Sequence, residues 1–467
     1  MLLATVNSGT LLIALPDLER ALHTSLLALV WVILVYMIAS TVLVLTAGRL
    51  SDLFGRKRAY VLGFALFTLA SLGAGFASSG GELIGWRIVQ GVGGAFLFAN
   101  STAIVTDAFP REQLGLAMGT NSMVGAVGMV VGPVLGGLLV KLSWHWVFWF
   151  NVPLGALGTV WAALVLRELA SLDRERRLDP LGSASYLLGL GGLVFALSRG
   201  GLDGWSDPYV LAGFCAAVLL LPLFVAVERR VRAPLLDLTI FRDRLFAAAS
   251  GAALINGLSR FALLFLFVFY FQGPLGYDPI EAGVRLAPMA LAMLVAAPLA
   301  GRIADRHGSR LLAALGMLLT AAGLAAMTTL QAGSSYWLSA AWLALVGIGS
   351  GVFNSPNTSA MMGVVPANRR GVAAGTRTML QNTGAVVSIS FVLAIVTSGI
   401  PKTALFKIFS GLATGLPQAQ VNAFIANMHH AVWVLAGFSL LGAAVSLLRP
   451  AHRPAARQEG RLGEATG

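Results

Sequence analysis

Charge is what this sequence has least of. Asp, Glu, Lys and Arg make up 11% of the 467 residues, against 57% hydrophobic, whereas soluble globular chains carry about 25% charged residues. That shortage excludes a row of soluble domains and leaves a polytopic, all-α membrane protein. Cysteine is nearly absent. Cys215 stands alone in an apolar run, which excludes a disulfide framework and most thiolate metal sites. The 6 histidines are scattered and form no ligand set, so neither metal nor cofactor is expected. A phosphate loop is missing too, since Gly91-Val92-Gly93 sits inside an apolar span, and there is no soluble catalytic domain. An enzyme is therefore not expected. The first residues lack the basic region and the small-residue cleavage site of a secretory signal. They are apolar to Pro16, about 22 Å of helix and short of a span. Either the helix runs on through Pro16 towards Leu22, or a segment lies upstream; the shortness favours the second.

Long apolar runs are what remains. Read against charged breaks, they give fourteen spans: 2–22, 29–47, 59–77, 82–102, 114–140, 144–166, 181–198, 209–227, 245–271, 282–300, 311–330, 336–360, 372–396 and 431–448. With the amino terminus inside, 23 of the 32 Lys and Arg fall in inside turns and the tail and 5 in outside turns. This positive-inside bias puts both ends in the cytoplasm. It accounts for the net charge of +12 without a nucleic-acid partner.

The chain repeats itself. Residues 48–58, Gly-Arg-Leu-Ser-Asp-Leu-Phe-Gly-Arg-Lys-Arg, form a charged, glycine-punctuated hinge between two spans, and a related element returns at 301–310. Further on, Gly93-Gly94, Pro110, Gly115, Ala117, Gly119 and Gly128 match Gly349-Ser350, Pro366, Gly371, Ala373, Gly375 and Gly384 at one constant offset. Matched glycines and prolines imply matched helix contacts and breaks. The expected organisation is a six-helix half (1–167), a linker with two inserted helices (168–243), a second six-helix half (244–450) and a cytoplasmic tail (451–467). Two parallel repeats place a binding site at their interface near mid-membrane.

These residues resemble the major facilitator superfamily, in its fourteen-span drug:proton antiporter branch. The hinge is similar to that family's loop between helices 2 and 3. Residues 86–94, Trp-Arg-Ile-Val-Gln-Gly-Val-Gly-Gly, are similar to its helix 4 motif, and residues 125–137 to its antiporter motif on helix 5. The segment 144–153 resembles one typical of the branch. The resemblance implies a secondary transporter in the cell membrane, exporting amphipathic drugs in exchange for protons. A metabolite or lipid transporter of the same fold, not coupled to protons, is the alternative. Its partners would be a small-molecule substrate, protons and the bilayer, and it would act as a monomer.

Candidate residues follow from the physics of each motif. Gly48 and Gly55 permit a tight turn, and Asp52 is placed to pair with Arg56 or a neighbouring helix as a conformational latch, with Asp305 as its second-half twin. Arg87 lies inside a span, where a cation is costly unless it meets a partner or water. It has no twin, Leu343 standing opposite, which suits a coupling role with Gln90 and Asp107. Glycines 128, 132 and 136 recur every fourth residue, so with Gly125, Pro133 and Gly137 they offer a close-packing face. Asn7, Tyr36, Asn256, Arg260, Asn354, Asn357, Arg377, Gln381 and Asn382 are candidates for a substrate cavity, with Arg377 and Gln381 on one helix face. Asn100, Asn121 and Gln272 are further polar residues inside spans.

One departure matters. Asn7 holds the helix 1 position where the branch usually has an acid, and all 20 acids fall in loops or at span ends. Proton carriage would fall to Asp17, Asp52, Asp107 or Glu281. Neutral Asn7 also favours anionic or neutral cargo over cationic drugs.

Overall fold

Apolar runs of this length have little choice in hydrocarbon, because a helix satisfies every backbone N–H and C=O within its own segment. The computed structural model describes residues 2–108, 114–168, 179–231, 234, 236–365, 370–409 and 417–450. Among the described residues all regular structure is helical. The chain first forms α1 (Leu2–Leu22), α2 (Leu26–Phe54), α3 (Arg56–Ala74), α4 (Gly80–Ala108), α5 (Leu114–Leu142), the single turn α6 (Trp146–Trp149) and α7 (Asn151–Val165). Next come α8 (Pro180–Asp203) and α9 (Pro208–Glu228). The remainder is α10 (Arg244–Gln272), α11 (Pro279–Arg285), α12 (Ala287–His307), α13 (Ser309–Met327), α14 (Tyr336–Gly363), α15 (Arg370–Thr397), α16 (Lys402–Phe409) and α17 (Gln418–Leu447). Ten helical segments among the described residues are long and apolar enough to cross a membrane. Helices α1, α3, α4 and α5 stand outside that set. Of these, α3 opens on Arg56-Lys57-Arg58, and α4 carries Glu82, Arg87 and Asp107.

The acids at span ends have local work. Asp179, Asp207 and Asp278 each precede a proline and accept the N–H of Gly182, Tyr209 and Glu281 at 2.8, 2.7 and 2.8 Å. An aspartate cap followed by proline satisfies an orphan donor and fixes the first helical φ. Cations that the charge count puts outside are paired at the helix ends: Arg20 with Asp17, Lys141 with Asp278, Arg199 with Asp207 and Lys402 with Asp203.

Packing repeats as the sequence does. Helix pairs α2–α4, α3–α4, α1–α5 and α3–α7 recur as α12–α14, α13–α14, α10–α15 and α13–α17. The closest glycine contacts of α4 with α2 and α3 recur in α14 with α12 and α13. A Cβ on Gly93 would sit 2.6 Å from Phe67 N and 2.9 Å from Gly63 O. One on Gly349 would sit 2.5 Å from Thr320 N and 2.7 Å from Gly316 O. Gly91 backs onto the Tyr36 carbonyl just as Gly347 backs onto that of Met289. The offset is 253 on α2 and α3 but 256 on α4, so the connection between the third and fourth repeat helices absorbs three residues. Helices α8 and α9 pack on each other, and α8 also lies against both α2 and α15. It is tied there by Thr46 Oγ1 to Ser183 Oγ (3.1 Å) and by Thr397 Oγ1 to the Gly201 carbonyl (3.1 Å). Outward side chains such as Leu164, Val218 and Leu311 are exposed, as lipid-facing residues must be.

Helix α1 spans Leu2–Leu22 as expected, running through Pro16. Three expectations need correction. The hinge is not an eleven-residue loop: α2 runs to Phe54, α3 starts at Arg56, and Gly55 (φ +102°) is the whole joint. Gly48 therefore sits inside a helix and turns nothing; Gly308 (φ +85°) is the second joint of this kind. The last helix starts at Gln418, not 431, and part of the stretch before it is α16. The span expected at 282–300 is two helices, α11 and α12, meeting at Leu286.

Two glycines of α4 should respond oppositely to alanine. Gly93→Ala forces a Cβ into the α3 backbone and should cost about 1–3 kcal/mol. Gly85, with nothing within 4 Å of its built Cβ, should be neutral or gain up to about 1 kcal/mol as alanine. Thermal unfolding in detergent measures both.

Candidate functional site

In the first half, five helices converge on one fully buried polar chain. Arg87 on α4 donates from Nε to the Val32 carbonyl (2.9 Å) and from Nη1 to Gln90 Oε1, and its guanidinium lies 4.2 Å from the centre of the Tyr36 ring. Gln90 Nε2 donates to Ser71 Oγ (2.7 Å) and, at 3.4 Å, to Asn7 Oδ1. Asn151 at the start of α7 donates to the same Asn7 oxygen at 3.0 Å. Arg87, Gln90, Ser71, Asn7 and Asn151 are all buried without measurable exposure. Among the described residues no carboxylate touches Arg87. Its charge is held by a carbonyl, an amide and an aromatic face, and a charged group desolvated this way costs several kcal/mol before partners return about 1.5–3 each. The sequence pointed to Arg87, Gln90, Asn7 and Tyr36 separately; the structure joins them. Ser71 was missed, and Asn151 was seen only as part of a motif. A serine in an apolar helix is too common a signal to single out.

In the second half, Asn354 on α14 is the shared acceptor. Arg377 Nη2 and Gln381 Nε2, one turn apart on α15, both donate to its Oδ1 at 3.3 Å. Arg260 on α10 lies over Phe261 at 4.5 Å from the ring centre and close enough to Arg377 for the two charges to repel. Arg260 Nε and Nη1 and Arg377 Nε are buried and have no hydrogen-bond partner among the described residues. The other candidates lie elsewhere. Asn256 donates to Met317 Sδ (3.5 Å), and Asn357 donates to the Ala249 carbonyl (3.3 Å) while accepting from the buried Arg449. Asn382 is half-buried on α15. Asn100 bonds back to the Phe96 carbonyl at 2.9 Å, a local helix contact. The side chain of Asn121 lies outside the described residues.

The glycine face of α5 serves two neighbours. Towards α1, a Cβ on Gly132 would meet Gly9 Cα at 3.0 Å, and one on Gly136 would meet the Thr10 backbone at 2.7 Å; Gly128 lies against Thr5 and Val6. Towards α11, a Cβ on Gly137 would sit 2.5 Å from Ile280 Cα, and one on Gly283 would sit 2.7 Å from the Pro133 carbonyl carbon. Gly125 is buried on the same helix. Beside this seam, Lys141 pairs with Asp278 at 3.3 Å, both half-exposed. The Glu281 N–H, joined by Lys141, holds the Asp278 carboxyl below its usual range. Gln272 Nε2 on α10 reaches the Ile13 carbonyl of α1 at 3.3 Å, a second tie across the same end.

At the opposite end, Glu168 grips the hinge. Its two carboxylate oxygens accept the N–H groups of Arg56 and Lys57, each at 3.0 Å. They cap α3 where its dipole favours an anion, and Gly55 leaves them room. This acid lies 111 residues further on than Lys57, so no local pattern could reveal it. The side chains of Asp52, Asp107 and Asp305 lie outside the described residues.

One acid departs from expectation. Glu19, taken as a span-end residue, is fully buried, and neither carboxylate oxygen has a hydrogen-bond partner among the described residues. Asp17 instead pairs with Arg20 (2.5 Å), and Glu281 stays half-exposed beside Arg285 (3.9 Å).

Lipid-facing exteriors, paired helix layers and buried polar clusters define a polytopic membrane transporter. The chain belongs to the major facilitator superfamily, whose family model matches residues 1–389 and again 249–465. It is 32% identical to the multidrug resistance protein Stp of Mycobacterium tuberculosis over 393 residues, 84% of this chain and 73% of that one. It is 31% identical to the tetracenomycin C resistance and export protein of Streptomyces glaucescens over 385 residues, 82% and 72% of the two chains. In fold it is similar to a bacterial homologue of the human lysosomal transporter Spinster, solved inward-facing and occupied, with a TM-score of 0.62 at 16% identity over 97% of this chain and 96% of that one. The protein is thus a multi-pass membrane transporter of small molecules rather than an enzyme.

Gln90 is the joint of the first cluster. Gln90→Leu takes one partner each from Arg87, Ser71 and Asn7 at once and should lower stability by about 2–4 kcal/mol, whereas Ser71→Ala should lose about 1 kcal/mol. Thermal unfolding of the purified variants in detergent decides the order.

Proposed function

We propose that the protein exports small amphipathic molecules from the cytoplasm by alternating access across the cell membrane, in exchange for protons. The observation that carries this reading is the seam between α5 and α11. Backbone meets backbone there across the two repeats, at the end the charge count puts outside. One face of the transporter is thereby closed while the hinge end is held by Glu168. The names of the relatives, resistance and export proteins, support efflux as the direction.

On this reading the chain has fourteen spans, in halves 1–167 and 244–450 with two inserted helices between, and both termini face the cytoplasm. The ten strongly apolar helical segments are joined by α1, α3, α4 and α5. The joint at Gly55, with Asp52 and Arg56, acts as the latch of the first half, and Asp305 belongs to its counterpart beside Gly308. Arg87 couples the five helices of its cluster, so that a change in one is felt in all. Glu19 is the proton carrier. A carboxyl group buried with no hydrogen-bond partner among the described residues is cheaper neutral than charged, so it holds a proton when closed in and can release it when the outer end opens.

Everted vesicles or proteoliposomes with an imposed pH gradient and a panel of dyes test the reading. Dye accumulation that collapses with the gradient is expected; transport of lipids or metabolites alone would replace efflux by the alternative function. Glu19→Gln should lose gradient-driven dye uptake yet keep downhill dye exchange; unchanged gradient dependence would remove Glu19 from coupling. Arg87→Ala should abolish energised efflux and Arg87→Lys keep part of it, at equal membrane levels by immunoblot. Asp52→Asn should lower transport without lowering those levels.

A further inference from the structure

We infer that the second-half cluster of Arg260, Arg377, Gln381 and Asn354 is a binding site for the anionic group of an amphipathic organic anion, a carboxylate or phenolate. The inference rests on the transport reading above and names its substrate class.

Three observations carry it. First, the cluster is rich in donors and poor in acceptors. The Arg377 guanidinium and the Gln381 carboxamide share a single neutral oxygen, Asn354 Oδ1, at 3.3 Å each, and Arg260 brings a second guanidinium to the cluster. Second, the unused donors are buried. Arg260 is 2% exposed, and its Nε and Nη1, with Nε of Arg377, have no hydrogen-bond partner among the described residues. Buried cations normally pair or neutralise, and among the described residues neither carboxylate nor backbone carbonyl is spent on these atoms. Third, the two arginines come from different helices, α10 and α15, yet lie within repulsive reach of each other. Two like charges held together without a counterion are the arrangement that an incoming anion relieves, and the planar guanidinium fork suits oxyanions. Arg87 makes the contrast. Its bonds to Val32 and Gln90 and the Tyr36 face occupy it with groups of the protein itself. Phe261, beside Arg260 at 4.5 Å, gives the apolar part of the same ligand a surface next to the charge.

A pair of xanthene dyes tests this: carboxyfluorescein, an anion, and rhodamine 123, a cation of similar ring size. Fluorescence anisotropy of each dye with the purified full chain should show carboxyfluorescein bound about tenfold more tightly. Arg260→Gln and Arg377→Gln should each weaken carboxyfluorescein about tenfold and leave rhodamine 123 unchanged. Because each substitution removes an unpaired charge, melting temperatures should not fall. Should either variant fail to fold, the wild type alone decides, since carboxyfluorescein should raise its melting temperature and rhodamine 123 should not. Equal binding of the two dyes, no shift with the anion, or a loss of both dyes in the variants overturns the inference. So does displacement of carboxyfluorescein by phosphatidylglycerol but not by salicylate, which would assign the cluster to a lipid headgroup. Efflux is read separately in vesicles. Arginine-dependent anion binding without dye export keeps the site and removes the exporter, while export of rhodamine 123 without anion binding does the reverse.

Discussion

Hydrocarbon does not hydrate charge, and the rest of this structure follows from where its few charges are allowed to be. Acids and most cations are pushed to the helix ends, where aspartates cap helices and close ion pairs. Arg87, Arg260 and Arg377, left inside, must be accommodated by neutral groups, because among the described residues no acid reaches them. Arg87 gathers a carbonyl and a ring from α2 and an amide from its own helix α4, and its side chain thus ties α2 to α4. Polar bonds between helices in a membrane are individually modest, about 0.6–2 kcal/mol. Their value here is directional: each ties a particular pair of helices at a particular height.

Close approach of backbones supplies the rest. Lipid tails are as apolar as leucine, so helices in a bilayer associate through packing and polar contacts rather than through exclusion of water. Glycine permits the closest packing, and the same crossings recur in both repeats, Gly63 with Gly93 and Gly316 with Gly349. The halves differ where transport chemistry would need them to differ. Gly132 of α5 abuts Gly9, while its counterpart Ser388 on α15 hydrogen-bonds the Leu258 carbonyl at 2.5 Å. Arg87 is matched by Leu343, a plain core residue.

Much of this was legible in the sequence. The all-helical membrane architecture, the repeat and the family could be read from apolar runs, charge bias and glycine register, since those signals are the same physical constraints that build the fold. Arg87, Gln90 and Asn7 stood out because polar residues inside apolar runs are rare. Partners separated by many residues were not legible. Glu168 reaches back to Arg56 and Lys57, and Asn151 reaches Asn7 across 144 positions; neither contact leaves a local trace. Glu19 misled because nearness to a span end in sequence says nothing about burial under neighbouring helices. Gly48 misled for a related reason: a glycine signals freedom to turn, yet a helix can also use it as a slim rung, and here Ala99 sits 3.9 Å from where its Cβ would be.

The contact of α5 with α11 has a mechanical meaning of its own. It is a dry fit of backbone against backbone, and the nearby Lys141–Asp278 pair is half-exposed and so contributes little. Such a zipper has shape but almost no glue. It can shut out ions and water while closed, yet peel open without first breaking a strong bond, so a modest bias from a bound solute would be enough to decide which door of the carrier stands ajar.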